Sequence, residues 1–354
     1  MIHFSAKASA IIERCGHVPS GMKRGTDTVT GTGISQPARP GPAAGQAALT
    51  RLRSRSARSA AGLFVAACLA AGCAACGGGH AAATTSPHAG HSAAPAKRAV
   101  ARAAPSPFAS LAGYLAHRSS YVTAALYDAR TRTTWVLHPG VAQDTASIVK
   151  VQIMGTALQQ AEAVTEHVPQ PEAALMPPMI EQSDNQAATT LLQDVGGPGA
   201  VALFDKSAGL DHTAPSTLAL IPGTPWPGWG LTTTTALDQV TLVSKFAYPN
   251  PVLSRASRRF GLSLMEKVER DQDWGVSAGV PAGTTIALKN GWLPLGPSDW
   301  QVNSIGWIAG HGRNYVLAVL TRGSPTESYG IRTIQAVART VYAKLGTTVG
   351  SAGQ

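Results

Sequence analysis

Between Ser106 and Gly346 the hydrophobic pattern switches period in a fixed order, and that order restricts the fold more than any other feature of the chain. Tyr121-Val-Thr-Ala-Ala-Leu-Tyr127 and Thr133-Thr-Trp-Val-Leu-His138 are rich in β-branched and aromatic residues and flank the turn Asp128-Ala-Arg-Thr131, as in a hairpin. Phe108 to His117 precedes them as a short helix. From Ile148 to Ala163 the apolar residues Ile148, Val151, Met154, Leu158 and Ala161 fall near helical spacing, and Pro169 and Pro171 end the run. Helical stretches follow at Met179–Val195, Gly199–Ala208, Thr235–Tyr248 and Leu253–Glu269. Strand patterns return at Thr284–Leu288, Val302–Ala309 and Tyr315–Thr321, the last two joined by the turn Gly310-His-Gly-Arg-Asn314. A final helix covers Tyr329 to Leu345. Two strands, a helical middle, three strands and a helix predict an α+β domain. Its helices flank one five-stranded antiparallel sheet. No internal repeat is evident.

Charge separates this domain from the rest of the 354 residues. The net charge of +10 resides wholly in residues 1–104, which hold twelve Lys/Arg and two Asp/Glu; residues 105–354 hold seventeen of each. A neutral folded part excludes a nucleic-acid-binding surface, which needs a basic face on the domain itself. The four cysteines, Cys15, Cys68, Cys73 and Cys76, all lie before the domain, so residues 106–346 have neither a disulfide nor a cysteine metal site.

The front of the chain reads in three pieces. Residues 1–50 are Gly/Ala/Pro/Thr-rich without apolar periodicity, and are expected to be disordered or to precede the true start. Residues 51–73 carry a basic stretch, Arg51 to Arg58, then an apolar run from Ala60 to Ala71 and Gly72-Cys73. That is the layout of an export signal, and a run of about 12 residues is short of the roughly 20 that span a bilayer. Ala70-Ala71-Gly72-Cys73 resembles a bacterial lipobox, which implies lipidation of Cys73 and a membrane anchor; an ordinary cleaved signal is the alternative. Residues 74–105 read as a flexible linker, with His80, His88 and His91 as solvated residues in it rather than a metal tract. Residues 347–354 read as a disordered tail.

Three short motifs carry the chemistry: Ser147-Ile-Val-Lys150, Ser183-Asp184-Asn185 and Lys289-Asn290-Gly291. Ser147 and Lys150 lie three apart at the start of a helix and share a face, so a hydroxyl meets its own base. Asp144 or Thr145 is expected to cap that helix. Lys150 acts as a base only when neutral, a state that burial and a second lysine favour; Lys289 is the candidate. Each motif alone has a plain structural reading, as a cap, a surface lysine or a strand end. Their order and setting give the joint reading weight.

With this trio the domain resembles the serine β-lactamases and penicillin-binding proteins, most closely the class A β-lactamase-like group. Thr145-Ala-Ser-Ile-Val-Lys150 looks like its nucleophile helix, and Ile180-Glu-Gln-Ser-Asp-Asn-Gln-Ala-Ala188 like its second motif. Leu231-Thr-Thr-Thr-Thr235 looks like the segment opening a later helix, and Asn303-Ser-Ile-Gly-Trp-Ile-Ala309 and Tyr315–Thr321 like its last strands. The resemblance implies Ser147 as acylated nucleophile, Lys150 as base and Ser183 as proton relay to the leaving nitrogen. Asn185 binds a substrate amide or Lys150, and Lys289 pairs with a substrate carboxylate. Asn290, Gly291 and Trp292 complete the substrate site, with the N–H groups of Ser147 and Trp292 as oxyanion hole. The implied substrate is a β-lactam or a cell-wall amide or ester, handled by a monomer without cofactor or metal.

Three departures qualify the likeness. Asn290 stands where the third motif usually has Thr or Ser. From Gly209 to Thr235 the only carboxylate is Asp211, so the glutamate with which class A β-lactamases activate the deacylating water has no counterpart. The stretch between the first two motifs is short, trimming the helical lobe. Pro222-Gly-Thr-Pro-Trp-Pro-Gly-Trp-Gly230 stands in the water-activating loop's place. Its Trp226 and Trp229, like Trp292, either line a substrate groove or pack the loop on the core. His311 and Arg313 read as turn residues.

Overall fold

The computed structural model describes residues 105–164 and 168–347; the expectations for residues 1–104 and 348–354, including Cys73, lie outside them. Strands β1 (Tyr121–Asp128), β2 (Thr133–Leu137), β5 (Thr285–Gly296), β6 (Asp299–Gly310) and β7 (Arg313–Ser324) form one antiparallel sheet in the order β2-β1-β7-β6-β5. The first and last strands in sequence thus meet at the centre, with Ala124 opposite Val319 and Leu126 opposite Leu317.

Both faces of β1 and β7 are covered, which explains their nearly continuous apolar runs. Ala125, Val316, Ala318 and Leu320 point into the larger core, with the helices α2 (Lys150–Val164), α3 (Gln170–Glu181), α4 (Asn185–Asp194), α5 (Gly197–Ala208), α6 (Ala236–Ala247) and α7 (Arg255–Met265). Ala124, Leu126, Leu317 and Val319 point the other way, onto α8 (Glu327–Thr347) and the turn Pro107–Leu111, which continues into the short α1 (Ala112–Ala116). This is the α+β, five-stranded antiparallel architecture expected from the pattern.

Two deviations bear on the site. α3 spans Gln170–Glu181 although Pro171 reads as a helix end, and it holds Pro177 and Pro178 in its interior. Pro171 occupies the first turn, where a missing N–H costs nothing, and burial of Met176, Met179 and Ile180 carries the rest. As the helical pattern on both sides of the Ser183 motif implies, α3 and α4 part at Ser183, whose φ of 58° is left-handed. The second deviation is the strand that bears the third motif, which does not end there. β5 runs on from Lys289 to Gly296.

A two-residue ladder fixes the approach to Ser147. β3 (Gln143–Asp144) pairs with β4 (Thr233–Thr234), and Thr145 N–H donates to the Thr232 carbonyl at 2.8 Å.

Candidate active site

Ser147 lies in a 3-10 turn, Ala146–Val149, that leads into α2. Residues three apart eclipse one another in a 3-10 turn, and this lines Ser147 up with Lys150. The expected cap is absent. Thr145 holds the cap position without a side-chain bond, and Asp144 instead accepts from Gln301 Nε2 of β6. Ala146 adopts φ of 47°, a left-handed conformation that costs a non-glycine residue about 1–3 kcal/mol and must be imposed by its surroundings. Asn303 of β6 is one clamp: its Nδ2 donates to the carbonyls of Asp144 (2.8 Å) and Thr145 (3.0 Å), while its Oδ1 accepts from Thr321 N–H.

Lys150 is fully buried, and its Nζ gathers the site. It lies 3.1 Å from Ser147 Oγ, 3.0 Å from Ser183 Oγ, 2.6 Å from the Ser183 carbonyl and 2.8 Å from Asn185 Oδ1. Ser183 can present hydroxyl and carbonyl together because the chain turns left-handed between α3 and α4. Pro178 O accepts from Gln182 and Asp184 N–H there, and Asp184 caps α4 through Ala187 N–H. Asn185 opens α4 and so points its amide oxygen back at Lys150.

Lys289 of β5 approaches the same hydroxyl from the opposite side, its Nζ 2.9 Å from Ser183 Oγ and 3.0 Å from the Asn290 carbonyl. Burial pushes its ammonium down to about 7, since desolvation disfavours the charged form. Ser183 therefore bridges two buried lysines, one of which also reaches Ser147. This is a path along which a proton can move from Ser147 through Lys150 to Ser183.

Gly291 explains its own identity. A Cβ built on it would lie 2.6 Å from Ser147 N, 2.9 Å from Ile148 N and 2.9 Å from the Thr145 carbonyl, all backbone atoms that cannot step aside. The edge strand passes so close to the nucleophile turn that only glycine fits.

Asn290 and Trp292 are placed differently from expectation. The pleat alternates along β5, so Lys289 and Gly291 face the nucleophile while Asn290 and Trp292 take the other face. Asn290 is buried, and its amide donates to the carbonyls of Gln272 (2.7 Å) and Trp274 (2.8 Å), tying the 270–274 segment to the strand. The Trp292 indole is partly buried and packs against Trp274, ring centroids 5.9 Å apart, beside the smaller core. Neither side chain lies beside Ser147.

The aromatic loop packs onto the site. Residues 218–228 fold back as a small hairpin, with Ile221 N–H donating to the Trp226 carbonyl and Gly228 N–H to the Ala219 carbonyl. Trp226 joins Ala146, Ile221, Leu293 and Leu231 in a small apolar cluster. Trp229 is 7% exposed; its Nε1 donates to Thr189 Oγ1 at 3.1 Å, and its ring centroid lies 5.0 Å from Lys150 Nζ. His311 sits exposed at the β6–β7 turn on the Ala282 carbonyl, and Arg313 stacks on Tyr342. Sequence reasoning assigns no role to Asn303, which lies between Val302 and Ser304 in a strand pattern.

Known proteins resemble this chain in the same terms. The model of the Beta-lactamase enzyme family matches residues 173–345, a range that holds the second and third motifs. β-Lactamase Toho-2 of Escherichia coli is 31% identical over 129 residues, 34% of this chain; the match spans 40% of that relative's length. Among solved structures, the TLA-1 extended-spectrum β-lactamase superposes with a TM-score of 0.60 at 18% identity, covering 68% of this chain and 98% of its own. A class A β-lactamase from Mycobacterium abscessus gives 0.58 at 22%, covering 68% and 100%, and an ancestral class A β-lactamase gives 0.57 at 23% with the same coverage. The structures share the fold with this chain. The chain thus has the fold of the class A β-lactamases, and the Beta-lactamase enzyme family model matches just under half of it.

Proposed function

We propose that this protein is an exported serine hydrolase that forms an acyl-enzyme on Ser147 with a β-lactam or a cell-wall amide or ester. The observation that carries the reading is the placement of Lys150 Nζ, 3.1 Å from Ser147 Oγ and 3.0 Å from a Ser183 hydroxyl that Lys289 also holds.

The steps follow from that geometry. Ser147 Oγ attacks the substrate carbonyl carbon as neutral Lys150 takes its proton. The oxyanion is met by the N–H groups of Ser147 and Trp292, at the point where Gly291 lets the edge strand touch the nucleophile turn. Lys150 returns the proton through Ser183 to the leaving nitrogen, and the carbon–nitrogen bond breaks. Lys289, when protonated, draws an anionic substrate to Ser183.

Slow turnover, as in a penicillin-binding protein, is favoured by the turned-away Asn290 and by a 212–235 segment without a carboxylate. A missing general base lowers a rate by about a hundred- to ten-thousand-fold. Labelling with a fluorescent penicillin tests the proposal: stoichiometric label on the wild type and none on Ser147→Ala supports it, and an unlabelled wild type refutes it. The anchor proposed at Cys73 is checked separately, since Cys73→Ala should move the protein from the membrane to the soluble fraction.

A further inference from the structure

The loop that would otherwise bring a base to the site brings an indole, and its position has a chemical consequence. The inference rests on the acyl-enzyme reading above. We infer that Trp229 is a positioning residue that sets the lifetime of the Ser147 acyl-enzyme by keeping hydrolytic water away from Lys150.

Hydrolysis would run as follows. A water oxygen adds to the ester carbonyl carbon and gives a proton to Lys150. The bond to Ser147 Oγ then breaks, and that oxygen recovers a proton from Lys150. The attacking water must therefore hydrogen-bond to Lys150 Nζ, at about 2.9 Å. A water oxygen resting against a ring face needs about 3.4 Å more. The two add to about 6.3 Å, whereas the Trp229 centroid stands 5.0 Å from Nζ. On the axis between amine and ring there is no place for a water.

The ring is held there by several contacts. Its Nε1 is anchored by Thr189 Oγ1 on α4, the helix that also supplies Asn185 to Lys150. Its neighbour Gly230 packs against Ile221, and a Cβ there would meet Ala146 Cα at 3.9 Å. The adjoining 218–228 hairpin packs on Ala146 and Leu293 through Ile221 and Trp226.

The experiment measures both halves of the reaction on the full chain: the rate of labelling by a fluorescent penicillin, and the rate of label loss after removal of free reagent. Trp229→Ala is expected to label at about the wild-type rate and to lose label at least about tenfold faster, the lower range of general-base effects. Trp229→Phe keeps a ring over Lys150 and should retain slow loss. Thr189→Val removes only the anchor and should accelerate loss by a smaller factor, which covers the case that Trp229→Ala does not fold. Adding hydroxylamine should hasten loss more in Trp229→Ala than in the wild type, an effect that a general loosening of the fold would not give. Label loss at the wild-type rate in both Trp229→Ala and Thr189→Val overturns the inference while leaving the acyl-enzyme intact. An unlabelled wild type overturns both.

Discussion

Gly291→Ala isolates the contact between the edge strand and the nucleophile. The added methyl would stand 2.6 Å from Ser147 N, and ordinary contact begins near 3.4 Å, so strand or turn must retreat by about 0.8 Å. Neither can yield freely: the turn is held by Asn303 and by the Thr145–Thr232 bond, and the strand by its ladder to β6. Overpacking of this kind costs about 1–3 kcal/mol of stability. The effect on chemistry should be larger, because a misplacement of about 1 Å between nucleophile and oxyanion donors costs about a hundredfold in rate. The assay is the second-order rate of acylation by a fluorescent penicillin and by a small chromogenic ester, read beside the Tm. Gly296→Ala on the same strand is the control, since its nearest neighbour would be Asp299 Cβ at 3.6 Å, and it should change stability by less than about 0.5 kcal/mol. A wild-type acylation rate in Gly291→Ala would refute the claim that close approach dictates this glycine.

Stability should dip near neutral pH through two buried groups. Burial raises the Asp205 carboxyl to about 7, so the native state holds a proton that the unfolded chain loses near 4, and this contribution falls as pH rises from about 4 to 7. Lys289, lowered to about 7, is neutral in the native state while the unfolded chain stays protonated to 10.5, so its contribution climbs from about pH 7 to 10.5. Chemical denaturation across pH should show Asp205→Asn removing the acid limb of the dip and Lys289→Met the alkaline limb. Acylation by anionic penicillins should decline above about pH 7 as Lys289 loses its charge, with neutral esters less affected, in a stopped-flow pH profile. Asn303→Leu removes the side-chain partners of the Asp144 carbonyl and the Thr321 N–H and leaves the Thr145 carbonyl with only the Ile148 N–H at 3.4 Å; each stranded group costs about 1–3 kcal/mol, and urea unfolding should show a loss of several kcal/mol.

How much of this could be read in advance differs by element. The strands β1 and β7 were legible because burial on both faces leaves an unbroken apolar run. α3 was not, since its prolines signal an end and only tertiary burial of Met176, Met179 and Ile180 overrides them. Asn290-Gly291 carries the local signature of a turn, yet β5 continues through it, because that glycine answers to a contact with Ser147, 144 positions earlier in the numbering. Ser147, Lys150, Ser183 and Lys289 were readable as an ordered set of residue types, and the fold brings their polar atoms together. Asn290 and Trp292 shared the motif's neighbourhood but not its face; a count of alternation from Lys289 would have revealed that. Trp229 stays ambiguous in the sequence, since a tryptophan in a Gly/Pro loop reads equally as groove or packing. Asn303 gave almost no sign, because a clamp of backbone carbonyls has no spacing rule.

The short β3–β4 ladder makes the loop that ends at Thr232 and the turn that presents Ser147 parts of one mechanical unit. Amide hydrogens of Thr145 and Thr233 should therefore exchange together, in a single opening event shared by nucleophile and loop. A loop transplanted from a relative to confer faster turnover would have to bring its own Thr232–Thr235 equivalent, or it would unseat the serine it was meant to serve.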